Sequence, residues 1–221
     1  MTRSLAIACL LPLVGVVHAQ STSSPDALSA RIKAMAQIPS TFNSVYSHDG
    51  KRIAFLSNRS GTPQVWLVDT AGGEPKQITQ EADPVGSLAW SPVDDTIAYD
   101  VARGGGFNAQ VFLSKSDGTG AKRITSGGKE DNFSGNFAPD GRYWFRSALR
   151  NPQAPDSWIH DPKTGKTAIA IEYEGLGGIS DIELPGNRAL ISVEFYRSQF
   201  LRRNFLAQLS ARGDPSRHSA V

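Results

Sequence analysis

The sequence is poor in the residues that most often announce chemistry. In 221 residues it has one cysteine, Cys9, and four histidines. A lone cysteine excludes an intrachain disulfide and any cysteine-rich zinc site. Two of the histidines, His18 and His218, lie near the ends, so His48 and His160 alone cannot build an imidazole metal centre. Charge of one sign is also missing: 23 basic against 21 acidic residues give +2, and they are scattered. There is no basic stripe to neutralise a phosphate backbone, and nucleic acid is not an expected partner. Beyond the first twenty residues no apolar run reaches the ~20 residues that a membrane-spanning helix needs.

Those first twenty residues differ from the rest. Arg3 supplies a short positive region, Leu5 to Val17 is almost wholly apolar, and Val17-His18-Ala19 precedes Gln20. This is the pattern of a signal peptide over 1–19, cut after Ala19. A lipoprotein reading would modify Cys9 after Ala8, but too few residues precede it for a normal leader. Cleavage after Ala19 would remove Cys9, and a cysteine-free exported chain suits a bacterial periplasm. The expected location is therefore secreted or periplasmic.

With 21 glycines and 13 prolines, the chain is rich in turns, and it repeats itself. Tyr46-Ser47-His48-Asp49-Gly50-Lys51-Arg52-Ile53-Ala54-Phe55 aligns with Trp90 to Tyr99 and with Phe137 to Phe145. Gln64-Val65-Trp66-Leu67-Val68-Asp69, then Gln77-Ile78-Thr79, aligns with Gln110 to Ser114 and Arg123-Ile124-Thr125, and more loosely with Ser157 to Asp161 and Lys166 to Ala170. A weaker unit begins near Ile179. Each unit supplies short strands punctuated by turns such as Asp49-Gly50, Ala71-Gly72-Gly73, Asp117-Gly118 and Asp140-Gly141, where glycine tolerates positive φ. Strands apolar on both faces cannot stand as one sheet, so the units must stack radially around an axis. The expected fold class is all-β: a partial β-propeller of about four four-stranded blades with WD40-like repeats. The expected division is an arm over 20–45 with a helix near Pro25 to Ile38, repeats over 46–192, and an irregular tail over 193–221.

The run Ser-x-Asp-Gly-Lys-Arg-Ile-Ala-Phe, then Gln-Val-Trp-Leu-Val-Asp, then Gln-Ile-Thr resembles the TolB-type, WD40-like repeat. That repeat builds the TolB proteins of the Tol-Pal envelope system and the amino-terminal propeller of prolyl-oligopeptidase-type serine peptidases, including dipeptidyl and acylaminoacyl peptidases. The short stretch ahead of the first repeat and the irregular insertions Ala102 to Asn108 and Ser147 to Asp156 favour the peptidase branch. In complete members the resemblance implies a filter and substrate-binding lid over a carboxy-terminal α/β-hydrolase domain. The hydrolase's serine sits in a Gly-x-Ser-x-Gly elbow, and this sequence contains none. The loss of pattern after Ser192 is read as truncation ahead of that domain. The other branch implies a TolB-like periplasmic protein-binding propeller.

No catalytic, cofactor-binding or metal residue is therefore expected. A peptide or protein is the expected ligand, with self-association through exposed blade faces. His48 reads as a solvated turn residue and His160 as a packed or edge residue. Asp94, Asp95, Asp117, Asp140 and Asp161 read as turn caps in preference to a calcium site. Arg103-Gly104-Gly105-Gly106 lacks the residues of a phosphate cradle and reads as a flexible loop. Tyr46, Trp90 and Phe137, like Trp66, Phe112 and Trp158, read as core. Asn58-Arg59-Ser60 and Asn132-Phe133-Ser134 match the glycosylation sequon, and Arg212-Gly213-Asp214 reads as chance.

Overall fold

The computed structural model describes residues 25–36, 38–173, 175–183, 188–197, 199–209 and 218–220. The expected signal peptide, including Cys9, and Arg212-Gly213-Asp214 lie outside them. The chain forms two units, 1–38 and 39–221. In the first, the expected helix is α1, Pro25–Ala36, with Asp26 in its first turn and Lys33 in its last, each complementing the helix dipole. No described helix is long and apolar enough to cross a membrane.

The second unit holds four antiparallel sheets, each in sequential order. The first blade is β1 Thr41–Tyr46, β2 Arg52–Ser57, β3 Gln64–Asp69 and β4 Lys76–Gln77. The second is β5 Val85–Trp90, β6 Thr96–Val101, β7 Gln110–Lys115 and β8 Lys122–Arg123. The third is β9 Asn132–Phe137, β10 Tyr143–Ser147, β11 Asp156–Asp161 and β12 Lys166–Ile171. The fourth is β13 Leu176–Glu183, β14 Arg188–Arg197, β15 Gln199–Gln208 and β16 His218–Ala220.

Two boundaries differ from expectation. The first blade begins at Thr41, inside the stretch read as an arm, because β1 pairs along its length with β2. The stretch read as an irregular tail supplies the end of β14, all of β15 and β16, with β14 and β15 paired from Arg188↔Gln208 to Arg197↔Gln199. Its residues keep strand propensity (Val193, Phe195, Tyr196, Phe200) although they have lost the repeat's signature.

Stacking buries the sheet faces in three seams. Ala54, Leu56 and Val65 of the first blade meet Trp90, Ile97, Tyr99 and Phe112 of the second. Ala89, Ala98, Val111 and Leu113 of the second meet Phe137, Tyr143 and Phe145 of the third. Ile171, Tyr173 and Ala154 of the third meet Ile179, Ile182, Ala189 and Ile191 of the fourth. The rule in the first two seams is one of size: small and branched residues on the leading blade receive aromatic and large residues from the following one. A sheet buried on both faces needs apolar residues at successive positions, which is why the strands do not alternate.

Charge also ties the first seam. Arg52 of the first blade reaches Asp95 of the second through Nη2 (2.5 Å), donates to Ser116 Oγ (3.0 Å), and lies over the Trp90 ring.

Candidate functional site at the inner strand ends

The first strands β1, β5 and β9 of successive blades pack on one another, whereas among the described residues the main contacts of each fourth strand are with the third strand of its own sheet. The first strands therefore line the axis. Each pairs with a single neighbour and carries a bulge: residues 43–44 against Phe55, 86–87 against Asp100, and 134–135 against Phe145. Asn43, with φ of 50°, is the positive-φ non-glycine residue of this series.

At the second bulge the side chains lock two blades together. Ser87 Oγ (2.8 Å) and Ser134 Oγ (2.5 Å) both donate to Asp100 Oδ2, the second of these bonds crossing from the third blade to the second. Close by, the Gly135 N–H donates to the Tyr143 hydroxyl (3.0 Å), whose pKa burial pushes up to about 12. A Cβ on Gly86 would lie 2.5 Å from Asp100 Oδ1, and one on Gly135 would overlap the Trp144 carbonyl. Glycine is thus imposed at Gly86 by the knotted Asp100 and at Gly135 by the backbone of the neighbouring strand.

At the end of the blades where these strands begin, the second residue is Phe42 in β1, Gly86 in β5 and Phe133 in β9. Phe42 is 43% and Phe133 45% exposed. Arg146 stacks its guanidinium over Phe133 at 5.1 Å.

The two insertions emerge at the same end, and both are clamped. Arg103 donates two hydrogen bonds to the Glu81 carboxylate (3.1 and 3.0 Å) and lies 4.5 Å over Phe112, while the Gly104 N–H donates to Asp83 Oδ2 (2.7 Å). On the far shoulder Asn108 Nδ2 donates to the Lys129 carbonyl (2.6 Å) and Asp131 Oδ1 (2.9 Å). The glycine-rich stretch read as a flexible loop is therefore pinned on both sides, with Phe107 97% exposed at its tip. In the other insertion Arg150 donates through Nε and Nη2 to the fully buried Asp156 (2.7 and 2.6 Å), and Asp156 accepts the Tyr173 N–H (3.1 Å).

The remaining residues singled out in the sequence are dispersed. His48 lies in the first turn with Nδ1 3.6 Å from Asp95. His160 is buried, its Nδ1 2.7 Å from Thr167 Oγ1, and burial together with Lys122 lowers its pKa. Asp49 accepts the Ser47 hydroxyl and Lys51 N–H, and Asp117 the Thr119 hydroxyl and N–H, which hold both carboxyls below their ordinary range. Asp94, Asp140 and Asp161 accept the N–H two residues on in the same way. Trp90, Phe112 and Phe137 are core, and Trp66 and Trp158 half-buried. Tyr46 is not core: it is 67% exposed, because among the described residues no other sheet packs on that face of the first blade. Asn132 is buried and donates to the Ala109 carbonyl (2.8 Å), which closes its sequon to a glycan in the folded protein.

One pair of sites was missed. Gln64 accepts from Thr79 Oγ1 (2.8 Å), which accepts the Val65 N–H, and Gln110, Thr125 and Val111 repeat the arrangement. The separation of 15 residues in both copies was the available signal.

Together these features define a blade stack of the TolB and WD40-like type, with its inner edge open at an axis. The profile of the dipeptidyl peptidase IV (DPP IV) N-terminal region matches residues 17–155, more than half of the chain, and the protein belongs to that family. An uncharacterized peptidase of Bacillus subtilis, YuxL, is 36% identical over 62 residues, 28% of this chain and 9% of its own length. Among solved structures, TolB from Acinetobacter baumannii matches at a TM-score of 0.59 and 18% identity, over 77% of this chain and 41% of that one. Dipeptidyl peptidase 4 from Porphyromonas gingivalis gives 0.58 and 16%, over 76% and 24%. The propeller domain of the Trilobed protease from Pyrococcus furiosus gives 0.58 and 11%, over 76% and 54%. The chain thus spans about half or less of each of these relatives.

Proposed function

We propose that the chain is the non-catalytic propeller portion of an exported prolyl-oligopeptidase-type serine peptidase, serving to bind and gate peptide substrates. The observation that carries this reading is the family match over the first two blades and the first half of the third, whose first strands gather at the axis. Edge strands offer unpaired backbone donors and acceptors, the groups an extended peptide needs. A serine without an adjacent base is a poor nucleophile, and the sequence has no nucleophile elbow to supply one.

Two measurements test this. Titration of labelled peptides of varied composition against the chain should give saturable binding, and its absence for every peptide would remove the gating role. Chromogenic dipeptidyl and aminoacyl substrates should be released no faster than in buffer, and turnover above that control would remove the non-catalytic claim.

The similarity to TolB structures supports a second reading, a periplasmic protein-binding propeller of the cell envelope. Direct binding to a purified peptidoglycan-associated lipoprotein, without peptide binding, would favour it.

A further inference from the structure

We propose that the mouth of the axis, at the end where β1, β5 and β9 begin, recognises extended peptides by their apolar side chains, with Phe42 and Phe133 as the residues that select them. The proposal rests on the peptide-gating reading above and assigns its recognition site.

Three observations converge on this place. The three strands start at the same end, and among the described residues each is laddered along one edge only and broken by a bulge. Of the backbone N–H groups outside these ladders, Val85 donates to the Pro63 carbonyl (2.9 Å), Gly135 to the Tyr143 hydroxyl (3.0 Å) and Phe137 to Asn136 Oδ1 (2.8 Å), so a peptide would meet the remaining groups of the edge. Main-chain groups of this kind bind a peptide backbone without regard to sequence.

Selectivity then depends on what stands beside them. Phe42 and Phe133 occupy one register position in their blades and leave nearly half of each side chain in water. Other large residues of these sheets, such as Tyr143, Phe145 and Tyr99, are buried in the seams, so the two phenyls are not left out for want of a core. Arg146, stacked on Phe133, holds that ring in place.

The middle blade supplies the gap. The second residue of its first strand is Gly86, which lies in the bulge one place past the ladder-paired, buried Val85; a Cβ there would strike Asp100, so this position puts no side chain between the two phenyls. The floor of that opening is not a bare anion, because Asp100 Oδ2 already accepts from Ser87 and Ser134. Satisfied floor, unpaired backbone and flanking phenyls fit aliphatic and aromatic side chains on an extended peptide, and offer little to a polar one.

The test uses the 221-residue chain and two fluorescein-labelled peptides, one alternating alanine with leucine and phenylalanine, the other alternating alanine with serine and asparagine. Anisotropy titration should show the apolar peptide binding about tenfold tighter or more, a difference of about 1.4 kcal/mol. The Phe42→Ser/Phe133→Ser double variant should bring the two peptides to parity. Phe42→Leu/Phe133→Leu should keep the preference, which separates recognition from folding, as should Tyr46→Ser at the opposite end and Phe107→Ser at the loop tip. Equal affinity of both peptides for the unmodified chain, or an unchanged preference in the serine double variant, overturns the assignment and leaves peptide gating standing. If neither peptide binds, both fall.

Discussion

At the scale of single residues, backbone geometry and burial make sharper demands than the turn signals suggest. Gly50 and Gly118 both adopt positive φ, but a Cβ at Gly50 would meet nothing, whereas at Gly118 it would lie 2.5 Å from the Ile78 carbonyl. Gly50→Ala should therefore cost about 1 kcal/mol, the conformational penalty alone, and Gly118→Ala about 2 to 3. Urea midpoints of the two variants measure the difference. His160 carries a pH dependence of definite sign. Burial and the nearby Lys122 lower its folded-state pKa, so the unfolded chain takes up the proton first. Stability contributed by the neutral imidazole is present above the unfolded value of about 6.5 and declines as pH falls below it toward the folded value. Denaturation between pH 7 and 5 should show this decline, and His160→Gln should flatten it. The sequence placed this histidine in a strand; that it is buried depends on the Thr167 strand folded against it.

At the scale of elements, the Gln64–Thr79 and Gln110–Thr125 locks fasten each third strand to the segment after the fourth. Thr79→Val strands the buried Val65 N–H and leaves Gln64 Oε1 with the Glu81 N–H alone, at a cost of about 1 to 3 kcal/mol. Removing both partners in Gln64→Leu/Thr79→Val should recover part of this, and a double-mutant cycle in urea measures the coupling. The third blade uses ionic chemistry at the same position, with Asp156 where the others have glutamine. Arg150→Met leaves that carboxylate buried without its partner and should cost about 3 to 5 kcal/mol. Arg188→Met breaks the exposed pair with Glu183 and should cost less than about 1. The four-strand period and the turns were legible because each repeat writes them locally. These locks left only a shared spacing of 15 residues in the sequence, and the pairing itself is visible only once the strands are side by side.

At the scale of the molecule, the blade stack ends in two unlike faces among the described residues. The first blade turns outward the face that carries Tyr46, the equivalent of the aromatics that fill the later seams. The fourth blade bears a polar chain in which Ser192 joins Ser180 (3.1 Å) and Asn204 (2.8 Å). The apolar end predicts concentration-dependent self-association of the 221-residue chain, visible in light scattering. Tyr46→Lys should reduce it, whereas Leu190→Lys on the fourth blade should have the smaller effect. A monomer at all concentrations would contradict this.

By itself the sequence determined the all-β class, the repeat, the blades as its unit, and the glycine and aspartate turns, since propensity, turn chemistry and period act over a few residues at a time. Tertiary structure decided which of three equivalent aromatics is exposed, that the glycine-rich loop is clamped by Glu81 and Asp83, and that Phe42, Gly86 and Phe133 come to one rim. The physical reason is that a repeat specifies each blade identically, while position in the stack alone sets what each blade has for a neighbour.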